Sequence, residues 1–531
     1  MPTILLATLN ARYLHAAFGL RYLMANLGDL RSEAEMLEFD INQRPLDIAE
    51  AILARNPRIL GLGIYIWNVT PATELVAILK RARPKLTIVL GGPEVSFETE
   101  DQEIVRLADH VITGEADLKF AEVCRTLLSA NETRPPRIIG AGLPDLGRLE
   151  LPYDLYTEED AAHRVLYVEA SRGCPFTCEF CLSSLDLPVR QFPLERLLES
   201  LQKLLDRGVR QFKFVDRTFN LHLPTSSAIL NFFLTNWRAG LFVHFEMVPD
   251  RLPSALRESI AQFPPGALQF EVGIQTLNPE VEARISRRQN QERLVDNLRW
   301  LRRHSGVHLH ADLIAGLPGE SLESFADGFD RLVDLGPQEI QVGILKRLRG
   351  TPITRHDQEW GMIYSPVPPY EVLQTSLLDF ATLARLRRFS RFWDLFANSG
   401  NFSQTLPLLW TSPAGLDVPV SALRPRSPFW TFLGFADWLH RSGVRTSGIA
   451  QLRQFELLFR FLITELQHPE ARTRSALQED FSRGGRHEMP AWLRSADRQV
   501  PNAKNTRTGT LRRQRRHGAS ETLPPIPSTI D

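Results

Sequence analysis

The chain has 531 residues in which 62 Lys and Arg balance 62 Asp and Glu, with 43% hydrophobic and 23% charged content. That length holds two or three domains of ordinary globular composition, and zero formal charge leaves no global field to draw in nucleic acid or an acidic membrane. No apolar run approaches the roughly 18 residues of a membrane span, so neither a membrane nor a nucleic-acid partner is expected.

Met1-Pro2-Thr3 leads straight into the strand-like Ile4-Leu5-Leu6-Ala7, without a charged region or apolar stretch of signal-peptide length. There are four cysteines, three of them clustered, which argues against a disulfide framework. The expected location is therefore the cytoplasm.

Residues 1–130 alternate short apolar runs, at 4–9, 36–39, 59–66, 86–90 and 110–113, with helical patterns. This is the signature of a doubly wound parallel sheet, and five strands suit a flavodoxin-like domain. Ligands of such sheets sit beyond the strand C-termini. Three exits are rich in glycine: Gly61 and Gly63, then Gly91 and Gly92, then Gly114 followed by Glu115. Glycine lets a ligand approach the backbone closely, although each such turn also serves simply to stop a strand.

Residues 131–163 carry scattered Pro and Gly with little periodicity and read as a linker. A strand over 165–170 then feeds Ser171-Arg172-Gly173-Cys174-Pro175-Phe176-Thr177-Cys178-Glu179-Phe180-Cys181. Thiolates suit iron-sulfur clusters and zinc, but a structural zinc site wants four ligands, and Cys124 lies far upstream in a helical run. Three thiolates leave one metal position open. Further strands are expected at 212–215, 243–248, 268–274, 309–315 and 340–345. The resulting six β-α units over 164–365 are too few for a full eight-fold barrel.

Residues 366–466 read as helical and rich in Phe, Leu and Trp, including Phe392, Trp393, Trp410, Trp430 and Trp438. Residues 467–531 lose apolar periodicity and, with Arg507, Arg512, Arg513, Arg515 and Arg516, read as a mostly disordered basic tail.

The spacing Cys-x-x-x-Cys-x-x-Cys, with aromatic Phe180 before the last cysteine, resembles the radical S-adenosylmethionine (SAM) signature. The resemblance implies a [4Fe-4S] cluster on Cys174, Cys178 and Cys181, an open six-stranded partial barrel, and reductive cleavage of SAM by an external flavodoxin- or ferredoxin-type electron donor. It further implies SAM contacts from Phe180, from Asp216 to the methionine amine, from Gln275 to the ribose, and from the Asp312 to Glu320 segment around Gly316 to the adenine. The usual Gly-Gly-Glu is absent at Asp216, where a helix N-cap is the structural alternative.

Placed before the cysteine loop, residues 1–130 resemble the cobalamin-binding domain of one radical SAM class, and residues 366–466 resemble a C-terminal domain of unknown function found in a subset of it. Gly61, Gly63, Gly91, Gly92, Gly114 and Glu115 are then the cobalamin-side candidates. The first loop, Asn10 to Gly19, does not match the Asp-x-His-x-x-Gly pattern that supplies a histidine to cobalt, so His15 is not expected to be a ligand. These likenesses imply methyl transfer to carbon of a small-molecule substrate. The alternatives are another radical reaction, such as rearrangement, or a non-catalytic zinc-stabilised binding protein.

Overall fold

The computed structural model describes residues 2–129, 134–186, 188–411, 427–484, 489–494 and 512–518. The chain folds into two compact units, one formed by residues 1–217, 346–355 and 364–371 and the other by the remainder.

The first unit begins with a parallel sheet of strands β1 (Ile4–Asn10), β2 (Ala34–Asp40), β3 (Ile59–Gly63), β4 (Thr87–Gly91), β5 (His110–Thr113) and β6 (Ile138–Gly140), in the order β2-β1-β3-β4-β5-β6. The sheet is apolar on both faces, as a parallel sheet covered by helices must be. Leu5, Ala7, Leu60, Leu62 and Leu90 pack toward the helices Pro45–Ala54 and Val69–Ala82, while Ile4, Leu6, Ile59 and Val89 pack toward Phe18–Ala25 and Lys119–Leu128. Cys124 lies fully buried in this second layer, where desolvation pushes its thiol up to about 12.

The expected flavodoxin-like order is present with a sixth strand added at the β5 edge. That strand corrects the reading of 131–163 as a linker. Ile138 to Gly140 pairs with Val111 to Thr113, and Asn26 exchanges hydrogen bonds with the Glu150 backbone at 2.9 and 3.1 Å. Tyr153 and Tyr156 are buried, and their hydroxyls bond the Glu169 and Tyr167 carbonyls. Helix Glu158–His163 follows, opened by a Thr157 and Asp160 capping box.

The second sheet comprises β7 (Leu166–Val168), β10 (Gln211–Phe214), β11 (Phe242–Met247), β12 (Leu268–Gln275), β13 (His308–Ala315) and β14 (Glu339–Ile344), ordered β14-β13-β12-β11-β10-β7. It is the expected open six-stranded parallel sheet. Between β7 and β10 stands a small antiparallel hairpin of β8 (Ser171–Arg172) and β9 (Arg190–Gln191). The strand expected over 165–170 therefore ends at Val168, and the cysteine loop springs from this hairpin.

In the second unit Phe392 and Trp393 of the aromatic stripe are core, whereas Trp430 is 42% exposed. Phe329, Phe389, Trp393 and Phe432 meet edge to face, with Phe329 and Trp393 centroids 4.7 Å apart, and so join helices Leu322–Leu335, Phe380–Phe396 and Pro428–Arg441.

The reading of 467–531 as a mostly disordered tail is also corrected where residues are described. Glu470–Arg483 is a helix whose Phe481 packs on Phe455. Arg512–Gly518 is a short helix on β13. Its Arg513 reaches Glu339 at 3.1 Å and Asp394 at 2.5 Å, and Gln514 donates to Gln269 at 2.7 Å. Arg507 lies outside the described residues.

Glu339 is only 3% exposed, so removing its arginine partner leaves a buried carboxylate held only by His308. Arg513→Ala should lower stability by roughly 1–3 kcal/mol, read as a lower melting temperature of the full chain. Adding Glu339→Gln should recover part of the loss. An unchanged melting temperature for the single variant would show that the helix contributes nothing to the fold.

Candidate functional site

Beyond the C-terminal ends of β3, β4 and β5 lies a cavity of about 240 Å³. Gly61, Gly63, Gly91, Gly92 and Gly114 all line it, so the structure brings the predicted glycines of three separate strand exits to one place. At Gly92, with φ +108°, a Cβ would stand 2.4 Å from the Ile64 carbonyl, and only glycine fits. At Gly91 and Gly114 a Cβ would meet nothing nearer than 3.7 and 3.8 Å, and a side chain would occupy cavity space instead. The strand exits thus form a cradle kept open by missing side chains.

Glu115 does not line this cavity, contrary to expectation. Its carboxylate instead accepts from Arg172 at 2.8 Å and from Arg190. The cavity wall near it is completed by Asp117, Glu169, Arg172 and Tyr22, which motif reading did not single out. The available signal was Glu169, a carboxylate closing an otherwise apolar strand pattern, since such a group demands a partner.

His15 is tied elsewhere: its Nδ1 lies 2.5 Å from the Tyr167 hydroxyl and burial lowers its pKa. Tyr65 does line the cavity, stacked on Trp67 at 4.4 Å between centroids.

In the same unit, the cysteine loop is held at both ends. Gly173 has φ +90°, and a Cβ there would strike the Pro188 and Asp186 carbonyls at 2.7 and 2.8 Å. The Cys174 N–H donates to the Asp186 carbonyl at 3.1 Å, and the Cys181 N–H to the Cys178 carbonyl at 3.1 Å. Phe180 is half-buried beside them. Burial raises the Cys174 pKa, and the thiols of Cys181 and Cys178 raise it further, so both lie within electrostatic reach of Cys174. Among the described residues no three His, Cys, Asp or Glu side chains gather around a single ion. A cluster in which each thiolate takes its own iron does not require that.

Asp216 departs from its expected role at a ligand amine. Its carboxylate accepts from the Ala170 N–H at 3.0 and 3.2 Å and from the Ser171 hydroxyl at 2.6 Å, bracing the start of the cysteine hairpin. It is not a helix N-cap either. Burial pushes its pKa to about 7 despite these bonds. Glu179, between the second and third cysteines, is 2% exposed and pairs with Arg355, while its carbonyl accepts from the Ile353 N–H at 3.0 Å.

The second unit presents a polar strand face. Parallel strands are ordinarily apolar on both sides. Here Phe270, Val272, Leu309, Ala311 and Leu313 are buried, while alternate positions carry His244, Glu271, His308, His310, Asp312 and Glu339. His308 bonds Glu339 at 2.8 Å, as a packed and satisfied histidine would, and His244 meets Glu271 at 3.0 Å. Burial lowers the pKa of His310.

Gln275 ends β12 in the left-handed region at φ +73°, and its Oε1 is buried without a hydrogen-bond partner. Glu320 is likewise buried, with Oε1 accepting from Thr276 at 2.5 Å and Oε2 unpartnered. Its pKa rises to about 7 through burial. Two orphaned acceptors carried by successive strand exits suit a ligand that brings hydroxyl or amino donors. Gly316, at φ +88°, backs onto Val372, where a Cβ would stand 2.6 Å from Cγ1. It fixes the turn by close packing, so a larger residue there tests packing rather than ligand contact.

Family comparison accounts for this arrangement. A model described as B12 binding domain matches residues 4–124, one for the Radical SAM superfamily matches 168–332, and one for a protein of unknown function, DUF4080, matches 358–526. Residues 168–332 are a radical SAM superfamily domain. The chain resembles an uncharacterised methyltransferase of Pyrococcus horikoshii at 26% identity, over 52% of this chain and 64% of that one. It resembles the cobalamin-dependent radical SAM methyltransferase TokK of Streptomyces tokunonensis at 24% identity, over 56% of this chain and 48% of that one. The matched regions span less than two thirds of each of these relatives. Among solved structures, the radical SAM methyltransferase TsrM of Kitasatospora setae superposes with TM-score 0.57 at 15% identity, covering 71% of this chain and 80% of that one. That likeness is one of fold.

A direct test of the cradle is to fill it. Gly91→Leu should leave the fold intact, because the backbone there is unstrained and the space is open, yet abolish retention of added cobalamin by gel filtration. Retention at the wild-type level would separate the cavity from any cobalamin site.

Proposed function

We propose that this protein is a cobalamin-dependent radical SAM enzyme that transfers a methyl group to carbon of a small-molecule substrate. The observation that carries the reading is that one folded unit contains both a cavity floored by glycines from three strand exits and a hairpin loop presenting three neighbouring thiols. Its relatives, two of them methyltransferases, support methyl transfer in particular.

In this reading Cys174, Cys178 and Cys181 each hold one iron of a [4Fe-4S] cluster, the glycine cradle receives part of cobalamin, and Gln275 with the Asp312 to Glu320 segment holds SAM. When bound, these groups supply the radical initiator and the methyl-carrying metal. The chain's own contribution is placement. Asp216 fixes the root of the hairpin, Glu179 ties the loop between its second and third cysteines, and the open strand exits admit a bulky planar group. An external flavodoxin- or ferredoxin-type donor delivers the electron. A reducing cytoplasm suits cysteines that form no disulfide. Among the described residues no helix is long and apolar enough to cross a membrane.

The test is anaerobic incubation of the iron- and cobalamin-loaded chain with reductant, deuteromethyl-labelled SAM and a metabolite pool, followed by mass spectrometry. A labelled methylated product is expected together with 5'-deoxyadenosine, and Cys181→Ala should abolish both while Cys124→Ala leaves them unchanged. 5'-Deoxyadenosine without any labelled product would place the chemistry in another radical class, and zinc in place of iron on metal analysis would refute the cluster.

A further inference from the structure

Arg172 stands in β8, two residues before Cys174, and its guanidinium is 12% exposed. An arginine has five N–H donors, and here they meet five carboxylate contacts. Nη1 donates to Glu115 at 2.8 Å and Asp117 at 2.9 Å, Nη2 to Asp117 at 3.0 Å and Glu169 at 2.9 Å, and Nε to Glu169 at 3.0 Å. The plane of the group lies over the Tyr22 ring, 4.6 Å from its centroid.

Arg172, Asp117, Glu169 and Tyr22 all line the glycine-floored cavity, and Glu115 and Asp117 lie in the loop that continues from Gly114. Arg190, on the strand paired with β8, holds Glu115 from the other side. The wall of the cavity and the root of the cysteine loop are therefore the two ends of one largely buried ion cluster in which every N–H of Arg172 has a carboxylate partner. Geometry this demanding tolerates little displacement, because a shift of either end leaves a buried charge without its partner.

We propose that Arg172 is a positioning residue that couples the two sites, so that filling the cavity orders the cysteine loop and a bound cluster tightens binding in the cavity. This rests on reading the cavity as the cobalamin site and the loop as the cluster site. Coupling of this kind is reciprocal: the factor by which the cluster tightens cobalamin binding equals the factor by which cobalamin tightens cluster binding at equilibrium. Lysine carries the same charge but cannot reproduce the forked contact with Asp117 and Glu169.

The experiment measures hydroxocobalamin affinity of the full chain by absorbance titration, with and without the reconstituted cluster, together with iron loss to a chelator with and without cobalamin. The wild-type protein should bind cobalamin about fivefold or more tightly when the cluster is present, and at equilibrium with the chelator should keep more of its iron when cobalamin is present. In Arg172→Lys both cofactors should still bind but the ratio should fall to about one. Should that variant fail to fold by circular dichroism, Asp117→Asn, which removes one arm of the cluster, carries the same comparison. A wild-type ratio of one, or a ratio that survives both substitutions, overturns the coupling while leaving the cofactor assignment standing. No cobalamin binding under either condition overturns both.

Discussion

A buried guanidinium is costly unless its N–H groups meet acceptors, and the arrangement around Arg172 meets that condition with carboxylates from two stretches of sequence, Glu115 and Asp117 in one and Glu169 in the other. The exit loop of β5, the end of the strand before the cysteines and the cysteine hairpin itself must all be in register for the cluster to close. A second fixed point acts on the neighbouring exit. Glu94, in the loop after β4 and 5% exposed, accepts from Arg349 at 2.9 Å and from the Tyr370 hydroxyl at 2.8 Å. The glycines keep the cavity open, and the arginines keep its walls where they are.

What the sequence made legible is what local backbone chemistry dictates. A glycine demanded by a positive φ or a close approach, as at Gly92 and Gly173, announces itself at a strand exit. Cysteine spacing does the same. The contacts of Asp216 were not legible, because the groups it braces lie 45 and 46 positions away and only the pairing of β7 with β10 brings them within reach. Glu115 was misassigned for a similar reason: its neighbour Gly114 faces the cavity, while its own carboxylate turns to Arg172 and Arg190.

The segments read as linker and tail illustrate a different limit. Strand β6 is three residues long at a sheet edge, with Ile138 41% exposed, and so leaves no alternation to detect. The buried Tyr153 and Tyr156 were the better signal of order there. Helix Glu470–Arg483 carries only Leu477 and Phe481 as large buried apolar side chains, too few for a periodic stripe, and it is secured by Asp480 capping the backbone of Gln404 and Thr405. Tertiary hydrogen bonds of that kind have no local sequence signature. The polar face of the second unit was half visible, since His308, His310 and Asp312 alternate along one strand, but its pairing with Glu339 and Glu271 emerges only from register.

The central claim is that the cavity and the cysteine loop of one unit hold cobalt and iron respectively. Anomalous diffraction from crystals of the anaerobically loaded full chain, collected at the cobalt and iron edges, tests it most directly. The account predicts cobalt density beyond Gly61, Gly91 and Gly114 and iron density bonded to Cys174, Cys178 and Cys181. Cobalt located away from the strand exits, or iron bound at Cys124 instead of the hairpin loop, would contradict it.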